Sequence, residues 1–210
     1  MKAILYYIHD PMCSWCWGFT WTLNKLLHAL PKDIEIRRLL GGLAADSDEP
    51  MPELIRHQIK SNWLRIEDSI SGVKFNFDFW EKTTPRRSTY PACRAVIAAR
   101  MQGEKYDVLM TNAIQRAYYL EARNPSNNTT LIEIANEIGL SGFDFEKNLM
   151  SEETDKIFKR EVNQARELYA ESFPNLVLKT EAGLISIYID YNNYKIMLDE
   201  IRAYLKSNQQ

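Results

Sequence analysis

The order of apolar and polar positions divides the chain into two strand-containing ends and a helical middle. Residues 3–9 form an uninterrupted apolar and aromatic run that ends at Asp10-Pro11, which is typical of a buried central strand. Residues 14–29 then place apolar side chains at helical spacing, and residues 34–40 return to strand composition. A strand, a helix and a strand in this order predict a parallel pair joined by a right-handed crossover.

The middle of the chain, residues 45–171, has a helical pattern throughout, and we predict no strand there. The predicted helices cover residues 52–69, 90–102, 104–121, 130–138 and 152–171. In the fourth of these helices, Thr130 and Glu133 fit a capping box, and Gly139 fits the glycine that follows a helix end.

Strand patterns return after Phe173-Pro174. The apolar runs 175–178 and 184–189 flank a turn at residues 181–183, which predicts an antiparallel hairpin. The two predicted halves of the sheet therefore come from opposite ends of the chain.

The last predicted element is a helix over residues 194–206. Its expected core positions are Ile196, Leu198, Ile201 and Leu205. Together the elements predict an α/β fold in the order βαβ, helical segment, ββα. We expect residues 1–44 and 172–210 to form one domain, into which residues 45–171 are inserted as a helical domain.

Composition narrows the function classes. The apolar fraction is 45% and the charged fraction 26%, both ordinary for a globular protein. A formal net charge of −2 gives no electrostatic reason to expect nucleic acid or an anionic membrane as a partner. No stretch approaches the roughly 18 consecutive apolar residues of a membrane helix, and the run at 3–9 is too short for a secretory signal. We therefore expect a cytoplasmic protein.

The candidate chemistry is carried by two of the three cysteines. Cys13 and Cys16, separated by Ser14 and Trp15, lie where the first predicted strand gives way to the first predicted helix. A helix N-terminus stabilises a thiolate through its unpaired N–H groups and the positive end of its dipole. Two cysteines on the first helical turn can close a disulfide, so we predict Cys13 as the more exposed nucleophile and Cys16 as the resolving thiol.

Half of a zinc site is the alternative interpretation of such a CxxC pair. A second CxxC is absent, and His9, His28 and His57 lack the spacing of a ligand pair. The position of the cysteines between a strand and a helix favours redox chemistry, and we expect no metal and no other cofactor.

Three segments carry a resemblance to a known family: residues 10–18 (DPMCSWCWG), 90–95 (YPACRA) and 172–178 (SFPNLVL). They resemble the DsbA-type family, and within it the cytosolic FrnE-like branch of disulfide isomerases, over essentially the whole chain. The resemblance implies a thioredoxin fold with an inserted helical domain. It also implies that Cys13 is the nucleophile, that Cys16 is the resolving thiol and that Pro174 is a cis-proline. In that family the backbone of the residue before the proline, here Phe173, pairs with an extended substrate.

Two departures from the family pattern concern the redox centre. The periplasmic oxidases of the family have a histidine between the cysteines, whereas this chain has Ser14 and Trp15. Many thioredoxin-fold enzymes also have a buried carboxylate six residues before the first cysteine, where this chain has Tyr7. The proton acceptor for Cys16 is therefore open between Asp10, His9 and water.

Other residues near the pair are assigned by their pattern. We assign Ser14, Trp15 and Phe173 to substrate binding, with Trp15 forming an exposed apolar surface between the cysteines. The side chains of Trp17 and Trp21 are four residues apart on one helix face, which predicts packing in the core or at the domain interface. For Cys93 we favour the interpretation of a small, half-buried apolar residue over a third redox thiol.

These observations predict a thiol–disulfide oxidoreductase that reduces or isomerises disulfides. Its expected partners are protein or peptide thiols and disulfides, with glutathione as a further candidate, and neither nucleic acid nor membrane. The alternative is a glutathione-dependent transferase or isomerase of small molecules with the same fold. Such enzymes typically have a serine in place of the first cysteine, so the intact pair Cys13 and Cys16 argues against this alternative.

Overall fold

A four-stranded sheet organises the protein, for which a computed structural model describes residues 3–207. The strands are β1 (Ile4–His9), β2 (Glu35–Leu40), β3 (Asn175–Thr180) and β4 (Gly183–Ile187), in the spatial order β2-β1-β3-β4. Strand β1 pairs in parallel with β2 and antiparallel with β3, and β3 forms the antiparallel hairpin with β4. The predicted parallel pair and C-terminal hairpin are confirmed.

The helices of the described residues are α1 (Ser14–Ala29), α2 (Glu53–Ser69), α3 (Phe79–Lys82), α4 (Tyr90–Arg100), α5 (Tyr106–Tyr119), α6 (Asn128–Glu137), α7 (Gly142–Leu149), α8 (Glu152–Glu167) and α9 (Tyr194–Ser207). The segment between β2 and β3 is helical, as predicted, but α3 and α7 were not predicted. Helix α3 is a single turn, too short for a periodic pattern. Helix α7 buries only Phe145 and Leu149, and the Ser141 hydroxyl caps it by accepting a hydrogen bond of 3.3 Å from the Asp144 N–H.

Each face of the sheet is covered by helices. Alternate residues of a strand point to opposite faces. One face packs on α1 and α9 through Leu5, Tyr7, Phe19, Leu23, Leu26, Leu178, Met197 and Ile201. On the other face, Ile4, Tyr6 and Ile8 contact Ala165 and Leu168 at the end of α8. The last helix of the middle segment thus forms one of the two layers on the sheet.

The start of α6 corrects the capping prediction. The helix begins at Asn128, two residues before the predicted start, and its N-cap residue Asn127 makes no capping hydrogen bond through its side chain. Thr130 therefore lies inside the first turn and does not cap the helix. Gly139 follows the end of the helix with a φ of +81°, as its place in the sequence predicted.

Helix α8 is shorter than predicted, because it ends at Glu167 and not at residue 171. Tyr169 adopts a left-handed φ of 58°, and the Ala170 N–H donates a hydrogen bond of 3.0 Å to the Ala165 carbonyl. This arrangement closes the helix without a glycine, so the sequence carried no clear stop signal.

Two predicted core positions are exposed. Trp17 lies at the junction with the helical segment, stacked on Tyr119 at a centroid distance of 5.7 Å, but Trp21 is 70% exposed. The face of α1 that Trp17 and Trp21 share is therefore not buried along its whole length. Ile196 is 45% exposed because α9 turns Met197 toward the sheet instead.

The division into a domain of residues 1–44 and 172–210 and an inserted domain of residues 45–171 stays a proposal. Residues 1–2 and 208–210 of that division lie outside the described residues. None of the helices in the described part of the chain combines the length and the apolar character needed to span a membrane.

Candidate redox site

Cys13 is the N-cap residue of α1, which agrees with its predicted place between β1 and α1. Strand β1 ends before Asp10-Pro11, and the Cys13 N–H donates a hydrogen bond of 3.0 Å to the Asp10 carbonyl, which closes a turn. The Cys13 sulfur in turn accepts a hydrogen bond of 3.3 Å from the Cys16 N–H. A sulfur in this position faces the unpaired amides of the first helical turn, and such amides favour a thiolate.

A second segment, just before β3, lies against the same sulfur. The Cys13 thiol donates a hydrogen bond of 3.3 Å to the Phe173 carbonyl. The Phe173–Pro174 peptide bond is cis, as predicted. The Phe173 ring packs so closely on Gly41, the residue that follows β2, that a Cβ at Gly41 would overlap it. The packing against Gly41 therefore helps to fix the Phe173 carbonyl beside Cys13.

The two cysteines differ in accessibility. Cys13 retains 5% of its surface, whereas Cys16 is completely buried, and both carry free thiols. Burial raises the pKa of the Cys16 thiol well above its ordinary value, and the adjacent Cys13 sulfur raises it further. Cys16 thus stays protonated near neutral pH. This is the order of access that a nucleophile and a resolving thiol require.

Tyr7 lies on β1, six residues before Cys13. Its buried ring stacks on the His9 ring at a centroid distance of 4.7 Å, and the Arg38 guanidinium lies 5.3 Å from the centre of the Tyr7 ring. Burial raises the pKa of Tyr7 well above its ordinary value, and the nearby Cys16 raises it further. A phenol that stays protonated can donate a hydrogen bond to a sulfur anion, but it cannot take up the proton of Cys16.

His9 is also a poor proton acceptor. Its Nε2 atom lies 3.2 Å from the Arg38 guanidinium, and the ring is buried. Burial lowers the pKa of His9 well below its ordinary value, and the positive charges of Arg38 and Arg100 lower it further. The imidazole is therefore neutral and has little affinity for another proton.

Asp10 is a buried carboxylate with a full set of hydrogen bonds. Its oxygens accept hydrogen bonds from the Met12 N–H (2.8 Å), the Leu43 N–H (2.7 Å), the Thr89 hydroxyl (2.6 Å) and the Cys93 thiol (3.4 Å). Burial raises the pKa of Asp10, and these four hydrogen bonds oppose that rise. The side chain therefore ties the turn before Cys13 to the loop after β2 and to the start of α4. The sequence placed Asp10 beside the pair but held no signal for these distant donors.

Cys93 is more buried than predicted. It has no exposed surface, because the start of α4 packs beneath the turn that holds Asp10. Burial raises the pKa of the Cys93 thiol well above its ordinary value, and the charge of Asp10 raises it further. A thiol that stays protonated and inaccessible is a weak nucleophile.

The residues between the cysteines are both half-buried. Ser14 begins α1. The Trp15 ring lies 5.1 Å from the Tyr191 ring and 5.0 Å from the Arg65 guanidinium, so it is less free than the predicted exposed surface. The contact with Arg65 was missed because the sequence does not indicate that α2 approaches α1. Across residues 3–207, no three or more His, Cys, Asp or Glu side chains are grouped to hold a metal ion.

Solved structures with this architecture include disulfide oxidoreductases. A protein from Nitrosomonas europaea that is assigned as a disulfide isomerase has a TM-score of 0.84 and 25% identity, with 99% of both chains covered. The cytosolic disulfide reductase DsbM from Pseudomonas aeruginosa has a TM-score of 0.74 and 26% identity, with 98% of both chains covered. DsbM has also been solved with GSH.

A relative found by sequence similarity is named as an adapter protein and not as an oxidoreductase. The ClpXP adapter protein SpxH of Bacillus subtilis is 25% identical over 173 residues, which are 82% of this chain and 56% of SpxH. This chain thus spans little more than half the length of that relative. The model of a protein family described as thioredoxin matches residues 6–197. Because this match includes nearly the whole chain, the protein belongs to the thioredoxin family, and it has the α/β fold of the DsbA-like thiol–disulfide oxidoreductases.

Proposed function

We propose that this protein is a dithiol–disulfide oxidoreductase that reduces or isomerises disulfides in proteins or peptides through Cys13 and Cys16. The observation that carries the proposal is the environment of the Cys13 sulfur. It accepts a hydrogen bond from the Cys16 N–H at a helix N-terminus and contacts the Phe173 carbonyl on its other side, each at 3.3 Å. A cytoplasmic location is part of the proposal, supported by the likeness to cytosolic DsbM.

The proposed reduction proceeds in two exchange steps. The Cys13 thiolate attacks one sulfur of the substrate disulfide, so that a mixed disulfide forms and the other substrate sulfur leaves as a thiolate that takes up a proton. Cys16 then loses its proton and attacks the Cys13 sulfur, which releases the second substrate thiol and forms the Cys13–Cys16 disulfide. The substrate has gained two electrons and two protons. Two molecules of a thiol such as glutathione restore the pair and leave as a disulfide.

Four further residues are proposed to hold the substrate. The Phe173 backbone and Pro174, at the start of β3, line the side of Cys13 on which an extended peptide can lie. Ser14 and Trp15 form the opposite side, where the Trp15 ring is supported by Tyr191. Glutathione is proposed as a partner because the similar reductase DsbM has been solved with GSH.

The test is a redox titration of the purified chain in glutathione buffers, followed by thiol alkylation and mass spectrometry. We expect Cys13 and Cys16 to be protected together as one disulfide, while Cys93 stays alkylatable after unfolding. The variant Cys93→Ala is the matched control and should give the same titration curve. Failure of the pair to form a disulfide at any glutathione ratio would contradict the proposal, as would the absence of turnover on a peptide disulfide.

A second candidate function is that of a protein-binding adapter. It is favoured by the 25% identity to the ClpXP adapter protein SpxH across 82% of this chain. Disulfide reduction requires the thiols of Cys13 and Cys16, whereas binding of a protein partner by an adapter does not. Binding by an adapter should survive in the double variant Cys13→Ser, Cys16→Ser, whereas disulfide reduction should be lost.

A further inference from the structure

The Asp10 side chain fixes the turn that presents Cys13. One carboxylate oxygen accepts a hydrogen bond of 2.8 Å from the Met12 N–H, while the Asp10 carbonyl accepts one of 3.0 Å from the Cys13 N–H. Both contacts are local, so the conformation of residues 10–13 depends on this one residue. Asp10 has no exposed surface, and water therefore cannot replace these bonds.

The other carboxylate oxygen accepts hydrogen bonds from three donors in distant parts of the chain. They are the Leu43 N–H at 2.7 Å, the Thr89 hydroxyl at 2.6 Å and the Cys93 thiol at 3.4 Å. The Thr89 hydroxyl accepts a hydrogen bond of 3.0 Å from the Ala44 N–H. Its single proton is directed to Asp10, because the other acceptor in reach, the Ala44 carbonyl, lies farther away at 3.4 Å. A distance of 2.6 Å between oxygens is typical of a bond from a hydroxyl to an ionised carboxylate. The hydrogen bonds to its oxygens favour the ionised form of Asp10, whereas burial raises the pKa of this carboxyl.

None of the described residues that donate a hydrogen bond to the Asp10 side chain provides a positive charge. All four donors are neutral groups. The charge of Asp10 raises the pKa of four buried groups on the elements that pack against it. They are thiols and phenols that burial keeps neutral: Cys16, Cys93, Tyr118 and Tyr119. Buried charges are usually paired with an opposite charge, so a buried carboxylate whose hydrogen-bond donors are all neutral calls for a functional explanation.

We propose that Asp10 is a positioning residue of the redox pair: its carboxylate holds the turn that presents Cys13, and its negative charge disfavours a thiolate at the pair. This inference rests on the proposed redox function. A pair whose thiolate is more stable is a stronger oxidant, because the reduced form is favoured. The charge of Asp10 therefore makes the Cys13–Cys16 disulfide a weaker oxidant.

The experiment compares Asp10→Asn with the wild-type chain in the equilibrium with glutathione. Asparagine has nearly the same shape and no charge. Removal of one nearby charge in a medium of intermediate dielectric should raise the equilibrium constant for reduction of the pair by about threefold to tenfold. A tenfold change corresponds to about 30 mV. The onset of thiolate absorbance should move to lower pH in the same variant.

Two further variants distinguish the effect of the Asp10 charge from the effect of its hydrogen bonds on the turn. Cys93→Ala removes the longest of the four hydrogen bonds and keeps the carboxylate with its three shorter ones, so it should leave the glutathione equilibrium unchanged. Asp10→Ser is a second neutral variant for the case that asparagine folds poorly, because its hydroxyl can still accept from the Met12 N–H. Circular dichroism and thermal unfolding report whether each variant is folded.

The outcomes are distinct. A higher equilibrium constant in the folded neutral variants, together with an unchanged constant in Cys93→Ala, would support the role of the charge. An unchanged constant in a folded neutral variant, or equal shifts in Asp10→Asn and Cys93→Ala, would overturn it while the redox function stands. A wild-type chain whose pair does not exchange with glutathione would overturn the proposed function, and the role of Asp10 with it.

Discussion

The Phe173 carbonyl lies 3.3 Å from the Cys13 sulfur, although the two residues are 160 positions apart in the sequence. Strand β3 pairs with β1 in the centre of the sheet, and this pairing brings the start of β3 to the end of β1. The candidate site is thus built by the two ends of the chain. The segment between them adds the contacts of Thr89 and Cys93 to Asp10 beneath it.

The separate tasks of the two cysteines can be tested by serine substitution. Cys13→Ser should abolish reduction of a protein disulfide such as that of insulin, because the accessible sulfur is removed. Cys16→Ser should instead accumulate a mixed disulfide through Cys13, because no buried thiol remains to resolve it. Non-reducing electrophoresis and mass spectrometry measure the trapped species. Full turnover by the Cys16 variant would show that the two-thiol mechanism is wrong.

The contact between Gly41 and Phe173 leads to a second prediction. In Gly41→Ala the new Cβ overlaps the Phe173 ring, which must move and carry its carbonyl away from Cys13. Overpacking of this kind costs about 1–3 kcal/mol of stability. Displacement of a positioning group lowers turnover by about tenfold to a hundredfold. Steady-state kinetics on a peptide disulfide, together with denaturant unfolding, measure both effects.

The control for this prediction is Gly139→Ala. Gly139 has a φ of +81° and no neighbouring atoms where a Cβ would stand, so alanine there strains the backbone only. It should lower stability without lowering the turnover of the folded protein. A loss of turnover that simply follows stability in both variants would count against a specific role for Gly41.

The sequence was sufficient to predict the architecture. The strands at both ends of the chain are marked by apolar runs and the first helix by its helical spacing, and the cysteine pair lies at a junction that these patterns define. Short elements escaped prediction for a physical reason: α3 has four residues, and α7 is defined largely by its cap at Ser141. The wrong capping box at Thr130 shows that a short motif does not determine which residue starts a helix.

The contacts within the site could be predicted only in part. Cys13 and the cis bond before Pro174 follow from motifs close to them in the sequence. The donors to Asp10 and the approach of Arg65 to Trp15 depend on how the helical segment folds back on the sheet. No local pattern contains that information, because the contacts join residues tens of positions apart.

Alkaline pH should destabilise the reduced protein. Thiols in an unfolded chain titrate near pH 8.5, whereas burial raises the pKa values of Cys16 and Cys93 well above the ordinary value. Between these values the unfolded state has lost protons that the folded state keeps, so stability falls as the pH rises. The slope is at most about 1.4 kcal/mol per pH unit for each thiol. Urea unfolding at a series of pH values above about 8.5 measures it.

The contributions of the two thiols can be separated. Closing the Cys13–Cys16 disulfide removes the titration of Cys16, and Cys93→Ala removes that of Cys93. Each change should reduce the slope, and the oxidised Cys93→Ala protein should have lost both thiol contributions. Turnover of Cys93→Ala should remain close to that of the wild-type chain at neutral pH. Equal slopes in the reduced and oxidised proteins would contradict the burial of Cys16.

The reduction potential of the pair should lie in the range of thioredoxins and glutaredoxins, about −270 to −200 mV. A strong oxidase near −120 mV differs from thioredoxin by about 150 mV, which is about 7 kcal/mol for two electrons. The helix N-terminus at Cys13 supplies about 0.3–1 kcal/mol, and at most about 2. Ser14 and Trp15 are neutral and provide no cation between the cysteines, and the buried charge of Asp10 acts in the opposite direction. The stabilisation that a strong oxidase needs is therefore missing. Equilibration with glutathione measures the potential, and a value above about −150 mV would identify an oxidase instead of a reductase or isomerase.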